Sequence, residues 1–274
     1  MEARDLRAAI AELPASAAGP ARERMRALID TNRPDVRYLV ARVGGGSAAR
    51  IARICAAVLD AAGAPTGILD TAPSLPTGTV DDALYVRAGL LVLSGADQLR
   101  TNRPELGEAS RREVEVALAL TAFAEASVRV VLLVEEEPGA DAALSVVAAD
   151  LAVLCRLDPG LLDEALAAIA DGTPVVAAAQ ETETRARLEA VAKDRALPLL
   201  LGDREFTHED YDGTSDVTVA GQRYAALPRG RDVSGWELAT GVVAALGIGA
   251  LGVRMRDEWI VAGARAAAGA TMPE

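Results

Sequence analysis

The sequence is poor in the residue types on which many functional sites depend. Lys193 is the only lysine and His208 the only histidine among 274 residues. His208 lies in a polar, acidic stretch, where a lone histidine is weak evidence for a metal site. Cys55 and Cys155 are too few and too far apart for a disulfide framework or a zinc site. Their apolar surroundings predict two buried free thiols in a reducing cytosol.

The sequence also lacks basic surface and long apolar runs. Its formal net charge of −12 argues against a duplex nucleic acid or an anionic membrane as partner, because both require basic surface. The longest apolar run, 242–253, contains three glycines and is far shorter than the roughly 20 residues that span a bilayer. The N-terminus has no apolar signal core. We therefore expect a soluble, cytoplasmic protein with no nucleic-acid or membrane partner.

Apolar strands alternate with helical segments through most of the chain, and this pattern predicts a parallel sheet covered by helices on both faces. The predicted strands are 36–43, 66–70, 128–134, 149–154, 175–178 and 197–201. Helices are predicted at 3–13, 21–30, 47–62, 109–126, 160–170, 182–195, 235–246 and 256–268. Residues 76–108 have a loop-rich composition with a possible short strand at 89–94, and 216–226 reads as a β-hairpin. The fold class is therefore α/β, with three layers and a mostly parallel sheet.

A glycine-rich turn follows the first predicted strand. Gly44, Gly45 and Gly46 turn the chain, and Ser47 opens an alanine-rich helix. Backbone N–H groups at such a turn, together with the helix N-terminus, form an anion site suited to phosphate. A hydrolysing phosphate loop also has a lysine close before its serine or threonine, and this turn has none. The bland alternative is a tight strand–helix turn without a ligand, since glycines are common where helices pack close to sheets.

The order of motifs resembles the N-terminal ATP-binding region of folylpolyglutamate synthases, which are members of the Mur ligase superfamily. Segment 41–47 is similar to that family's phosphate loop, G-T-N-G-K-G-S, and 67–75 is similar to its G-x-x-T-S-P-H-L stretch. The strand 128–134, which precedes Glu135, resembles the one that ends in a magnesium-binding glutamate. Segments 138–142 and 173–180 are similar to the family's G-G-R-L-D-A and P-V-V-x-x-x-Q stretches.

The resemblance implies a fold, a cofactor and a set of site residues. The fold would be that of a P-loop-type Mur ligase central domain over 1–274, with N-terminal helices in 1–34, an α/β core in 35–203, and a hairpin and closing helices in 204–274. Mg·ATP would be the cofactor, and Ser47 and Glu135 the metal ligands. Nucleotide binding would fall to the turn and two nearby arginines: Arg42, Gly44, Gly45, Gly46, Ser47 and Arg50. The substrate loop would contain Thr71, Pro73, Ser74 and Leu75.

Several departures from the family pattern bear on activity. Gly45 stands where the family's phosphate-loop lysine would be, and 156–171 contains no counterpart of its metal-site histidine and lysine. The family's separate C-terminal ligase domain has no counterpart in the sequence. We therefore interpret the chain as a degenerate, truncated relative: a non-catalytic or partner-dependent subunit that binds a nucleotide or an acidic ligand. The alternative is an active ATP-dependent carboxylate–amine ligase that a second chain completes.

A second reading of the glycines predicts a different cofactor. Gly44, Gly46 and Ala49 fit the dinucleotide-binding pattern G-x-G-x-x-A, and Asp70 ends the second predicted strand, where that fold places its ribose-binding acid. This reading predicts an NAD-dependent oxidoreductase of the Rossmann type. The sequence supplies no convincing general acid or base for it.

The C-terminal helices suggest an interface. An apolar patch is predicted there because the family's second domain would cover this region, and it would comprise Trp236, Val243, Ile248, Leu251 and Trp259. Apolar patches on soluble proteins often mark interfaces. We therefore expect a homodimer or a hetero-complex with another enzyme.

Overall fold

The structure is a computed structural model, and it describes residues 2–17, 19–32, 38–70 and 80–269. Six strands form a parallel sheet in the order β2-β3-β1-β4-β5-β6. They are β1 Leu39–Gly44, β2 Thr66–Asp70, β3 Val130–Glu135, β4 Leu151–Leu154, β5 Val175–Ala177 and β6 Leu199–Leu201. Every residue of β3 is buried, because helices cover both faces of the central strands. The predicted α/β class and parallel sheet are confirmed.

Helices lie on both faces of this sheet. One face is covered by α1 Ala3–Ala11, α2 Ala21–Asn32, α4 Asp82–Asn102 and α5 Arg111–Glu125. The opposite face is covered by α3 Ala48–Ala61, α8 Gly235–Ala250 and α9 Asp257–Gly269. Two further helices, α6 Leu162–Ala167 and α7 Thr182–Asp194, pack against β4 and β5. Cys55 and Cys155 are free and buried as expected, and burial raises the pKa of both thiols.

Helix α4 corrects the prediction for residues 76–108. The apolar stretch at 89–94, expected as a possible strand, lies in the middle of a 21-residue helix. The Asp81 side chain accepts a hydrogen bond from the Leu84 N–H and begins the helix. Glycine lowers helix propensity, but Gly89 and Gly95 allow α1 and α2 to approach closely: Gly89 contacts Leu6, and a Cβ on Gly95 would lie 2.5 Å from Asn32 Nδ2. Tertiary packing therefore decides this segment.

A small antiparallel sheet follows the main one. It contains β7 Phe206–Tyr211, β8 Thr214–Val219 and β9 Gln222–Pro228 in the order β7-β8-β9. The predicted hairpin corresponds to β8 and β9. No strand was predicted at β7, because its outward residues are polar and it lies at the edge of the sheet. Within the described ranges, no helix is long and apolar enough to cross a membrane.

Candidate functional site at the glycine turn

The glycine turn is shorter than a phosphate loop. β1 continues through Gly44, which pairs with Glu135 of β3 on one side and with Leu154 of β4 on the other. Helix α3 begins at Ala48, so only residues 45–47 connect the strand to the helix. The first four residues of the segment that resembles the phosphate loop are therefore strand, with their backbone groups in the sheet.

Three backbone N–H groups at the turn already have partners. The Gly45 N–H donates to the Glu135 carbonyl oxygen at 3.0 Å, and the Gly46 N–H donates to the Arg156 carbonyl oxygen at 3.2 Å. The Ala48 N–H donates to the Gly45 carbonyl oxygen at 3.1 Å. A phosphate site needs these groups to point at the ligand. Here the Gly45 and Gly46 N–H groups connect the turn to the ends of β3 and β4, and the Ala48 N–H closes the turn on itself.

Side chains fill the space over the turn. A Cβ on Gly44 would lie 3.0 Å from Cγ of Pro138, and one on Gly45 would lie 2.8 Å from Cδ2 of Leu157. Gly45 also has φ +104°, a conformation that residues with a Cβ rarely adopt. A lysine at position 45 would therefore be both strained and crowded.

Arg42 and Glu135 form a buried ion pair beside the segment that contains Leu144 and Val147. The Arg42 Nη1 donates to Glu135 Oε2, and Arg42 Nη2 donates to the carbonyl oxygens of Leu144 and Val147 at 2.8 and 3.1 Å. The Glu135 carboxylate is 0% exposed. Arg42 Nε and Glu135 Oε1 have no hydrogen-bond partner in the described part of the chain. The structure therefore corrects two expectations: Arg42 does not face the turn, and Glu135 is closed to solvent by its own arginine.

The residues present do not fit Mg·ATP at the turn. Glu135 is already neutralised by Arg42, and Ser47, the other predicted metal ligand, contacts Arg50 and Glu237. Among the described residues, no group of three His, Cys, Asp or Glu side chains is arranged to hold a metal ion. In the described structure the two predicted metal ligands are thus engaged by other side chains, Glu135 by Arg42 and Ser47 by Arg50 and Glu237.

Ser47 and Arg50 belong to a network that the sequence analysis missed. Arg50 Nη2 donates to Ser47 Oγ at 3.0 Å, and Arg50 Nε donates to Glu237 Oε1 at 2.9 Å. The Ser47 hydroxyl also hydrogen-bonds to Glu237. Ser234 and Glu237 form the capping box of α8, so the network joins the N-termini of α3 and α8. The S-x-x-E spacing at 234–237 is the sequence signal that could have identified this helix start.

The environment of Glu237 favours its charged form. Burial by itself would raise the pKa of this carboxyl, because a low-dielectric surrounding disfavours charge. Hydrogen bonds from the Ser47 hydroxyl and the Ser234 N–H, together with the nearby Arg50 guanidinium, outweigh burial. The net result is a pKa below the ordinary value, so Glu237 is an ionised carboxylate beside the turn.

A cavity of about 450 Å³ opens beside Ser47 at the carboxyl edge of the sheet. Its lining comes from the turn, the segments after β4 and β5, and the first two turns of α8: Gly46, Ser47, Ile51, Arg156, Ala178, Ala179, Gln180, Glu181, Ser234, Trp236, Glu237 and Thr240. Trp236 is held edge-on by His208, at 4.4 Å between ring centroids. The Thr240 hydroxyl is buried and has no hydrogen-bond partner in the described structure. Parallel sheets commonly bind ligands at this edge.

The dinucleotide reading does not fit the sheet topology. In the Rossmann order, strand 2 lies next to strand 1, so that its terminal acid reaches the ligand over the glycine turn. Here β3 lies between β1 and β2, which separates Asp70 from Gly44 by a strand. The Asp70 carbonyl oxygen accepts a hydrogen bond from Arg112 Nη2 at 3.0 Å. Ala49 lies in the first turn of α3.

Two other predicted features have different outcomes. Thr71, Pro73, Ser74 and Leu75, the expected substrate loop, lie outside the described residues. The expected apolar patch on the C-terminal helices is wrong. Val243 and Ile248 are core residues that α8 turns toward the sheet, Trp236 lines the cavity, and Trp259 is half-buried, which leaves Leu251 as the exposed member.

Known structures share this fold. The sequence matches no protein-family model and no curated protein. Folylpolyglutamate synthetase from Lactobacillus casei superposes with a TM-score of 0.82 at 20% identity, over 97% of this chain and 72% of that one. A folylpolyglutamate synthase complex with AMPPCP and folate gives 0.84 at 20% identity, over the same shares. Mycobacterium tuberculosis folylpolyglutamate synthase with ADP gives 0.80 at 19% identity, over 99% and 66%. The chain therefore has the fold of the folylpolyglutamate synthases.

Proposed function

We propose that this chain, which has the folylpolyglutamate-synthase fold, is a non-catalytic binding protein that does not transfer phosphoryl groups. The observation that carries the proposal is the closed turn, in which the Gly45 and Gly46 N–H groups are bonded to the ends of β3 and β4. Ligases of this type phosphorylate a carboxylate with ATP, and their rate depends on neutralising the charge of the transferred group. The turn has no lysine, its Gly45 and Gly46 amides are bonded within the fold, and Glu135 is buried against Arg42.

The cavity beside Ser47 is the proposed binding site. Its charges are neutralised in pairs: Arg50 pairs with Glu237 at 2.9 Å, and at the rim Arg156 pairs with Glu181 at 3.1 Å. Among the described residues beside Ser47, Arg50 is the cation and it is held by the buried Glu237, whereas the Arg156–Glu181 pair lies at the exposed rim. This balance favours a polar, uncharged ligand over the nucleotide or acidic ligand that the sequence analysis expected. The cavity volume is within the range of small-molecule sites, about 300–1,000 Å³.

Thermal unfolding with a ligand panel tests this function. A ligand at about a hundred times its dissociation constant stabilises the native state by about 2.7 kcal/mol, which is a readable shift. We expect Mg·ATP, ADP, NAD⁺ and folate to leave the melting temperature unchanged, and the purified protein to hydrolyse no ATP. Adenosine serves as an uncharged probe of the cavity.

Two serine variants control this experiment. Ser47→Ala removes a hydroxyl that lines the cavity, and Ser145→Ala removes one that bonds to the Ala142 carbonyl oxygen away from it. A Mg·ATP shift that Ser47→Ala abolishes and Ser145→Ala preserves would contradict the proposal, because it would demonstrate a working phosphate site. ATP turnover on addition of a second protein would support the alternative of a ligase completed by another chain.

A further inference from the structure

Two adjacent leucines lie on the solvent side of α4. Leu90 is 44% exposed and Leu91 is 49% exposed, whereas the other large hydrophobic residues exposed in the described structure, Tyr211 and Leu251, lie singly and elsewhere. The leucine pair is close to the midpoint of the helix. Isolated exposed apolar residues are ordinary. A pair at the centre of a long surface helix is a candidate contact point.

The rest of the helix cannot rotate to bury these leucines. Its inner side is fixed at Gly89, which contacts Leu6 of α1, and at Gly95, which contacts Asn32 of α2. Leu6 itself is fully buried. Because the two contacts leave no room for a Cβ, they set the rotation of α4 about its axis, and that rotation directs Leu90 and Leu91 outward.

Two opposite charges on the outer face are arranged symmetrically about position 92, next to the leucines. Arg87, Leu90, Ser94 and Asp97 follow one another at intervals of three, four and three residues, so they form one stripe on the helix. Arg87 and Asp97 each lie five residues from position 92. They carry opposite charges, and their side chains are 63% and 76% exposed.

We infer that this outer face of α4 is a docking surface for a second copy of the chain, paired antiparallel about a two-fold axis at position 92. In that arrangement Arg87 of each copy lies opposite Asp97 of the other, about 7.5 Å along the helix on either side of the axis. Between these ion pairs, Leu90 of each copy lies opposite Ser94 of the other and Leu91 lies opposite Leu93, so the leucines of both copies are close to the axis. A two-fold interface must be self-complementary, and reversal of the stripe exchanges its basic and acidic positions. A parallel pairing would instead place like charges together.

The contacts that Arg87 and Asp97 form within the chain leave both side chains able to pair with a second copy. Arg87 uses Nε to donate to Glu125 at 2.6 Å, and Asp97 has a weak 3.4 Å contact with Arg100 one helical turn away. Both pairs are on the surface, where such contacts contribute little. One helix pair buries less area than a standard interface of about 1,600 Å². The dimer is therefore weak, with a dissociation constant of about micromolar or above.

Sedimentation velocity tests the dimer on the full chain over about a hundredfold range of concentration, at roughly physiological ionic strength. The wild type should shift from monomer to dimer as concentration rises. The double variant Leu90→Glu, Leu91→Glu should remain a monomer throughout. Tyr211→Glu and Leu251→Glu, which place the same charge at the other exposed apolar positions, should dimerise as the wild type does.

A charge exchange tests the antiparallel register. Arg87→Asp and Asp97→Arg should each weaken association at least tenfold, because each places like charges opposite one another. The variant with both substitutions should recover it. Arg87→Asp also breaks the pair with Glu125 in the single and the double variant alike, so recovery cannot come from repair within the chain. A wild type that stays monomeric overturns the inference, as does a dimer that survives the leucine substitutions or a double charge variant that does not recover.

Discussion

Arg42 and Glu135 neutralise each other inside the protein, between β1, β3 and the segment that contains Leu144 and Val147. The arginine holds that segment through two carbonyl oxygens, so it acts as an internal brace. Buried ion pairs are weak evidence of net stabilisation, because both charges must be desolvated. Their presence has a clearer meaning for function. A glutamate that is already paired and closed to water does not offer its charge to a divalent cation.

Thr240 is a second buried polar residue beside the candidate site, and its hydrogen bonding bears on whether it binds a ligand. Its buried hydroxyl has no partner in the described structure, whereas the buried Thr121 hydroxyl on α5 donates to the Ala117 carbonyl oxygen at 2.8 Å. An unpaired buried hydroxyl costs about 1–3 kcal/mol. Thr240→Val should therefore raise the free energy of unfolding by about 1 kcal/mol in urea denaturation. Thr121→Val should lower it by a similar amount, since it removes a formed hydrogen bond.

The two threonine variants also report on the cavity. If Thr240→Val destabilises the protein as Thr121→Val does, the hydroxyl has a partner such as a bound water, and it is not reserved for a ligand. If Thr240→Val stabilises the free protein and abolishes stabilisation by adenosine, the Thr240 hydroxyl serves ligand binding and lowers the stability of the unbound protein.

At the scale of elements, the turn between β1 and α3 is a tight strand–helix connection fixed by its neighbours. Two of its three residues, Gly45 and Gly46, bond to the ends of β3 and β4, and side chains from the following loops cover it. Its geometry is therefore set by three strands together. A phosphate loop instead needs extra residues that bend away from the sheet and leave their N–H groups open.

Gly45→Lys, which restores the missing lysine, tests whether this turn can accept a side chain and bind phosphate. The lysine should lower the free energy of unfolding by about 1–3 kcal/mol or more, which is roughly the strain of one such backbone position. The cause is the positive φ together with the contacts that a Cβ would make with Leu157 and the Arg156 carbonyl oxygen. The variant should gain no stabilisation from Mg·ATP. Gly46→Ala is the matched control, since its Cβ would meet the Arg156 carbonyl oxygen at an ordinary 3.5 Å.

Thermal unfolding of both turn variants decides the matter. A Gly45→Lys protein as stable as Gly46→Ala, and further stabilised by Mg·ATP, would mean that the turn adapts to phosphate. The proposed loss of phosphoryl transfer would then be wrong.

Helices α3 and α8 are joined by Glu237, and this contact should depend on pH. The pKa of Glu237 is lowered in the folded protein, so its charged form contributes stability above the unfolded value of about 4.3, and that stability is lost as pH falls through the folded pKa. The difference in unfolding free energy between wild type and Glu237→Gln should be largest at neutral pH and shrink in acid. Glu181→Gln, at the exposed rim, should differ little from wild type at any pH.

The prediction would be wrong if the difference in unfolding free energy between wild type and Glu237→Gln stayed constant from neutral pH to about pH 3. The carboxylate charge would then not be what joins the two helices.

At the scale of the whole molecule, the sequence pattern predicted the main sheet well. Strand positions followed from continuous apolar runs such as 128–134, because a parallel strand buried on both faces needs no polar alternation. The prediction failed where local and tertiary preferences conflict. Segment 89–94 has the composition of a strand, yet it lies within the helix α4. Helices α1 and α2 pack on α4 at Gly89 and Gly95. β7 was missed because a polar edge strand lacks an apolar signal.

The candidate site was harder to predict than the fold. The turn and Ser47 were identified from the glycines, but Glu237, Trp236 and Thr240 were not. These residues lie about 190 positions after Ser47 in the chain and reach it only because α8 packs beside α3. No local pattern encodes that contact. The capping box at 234–237 marked a helix start without indicating what it would face.

The sequence by itself determined the α/β class, the parallel strands and the absence of a lysine from the turn, because these depend on composition and local periodicity. Only the tertiary structure decided the strand order, which separates Asp70 from the turn, and the pairing of Arg42 with Glu135 across 93 positions. The reason is physical. A charged residue at a strand end is solvated unless another strand brings an opposite charge to it, and strand order is set by the packing of the entire core.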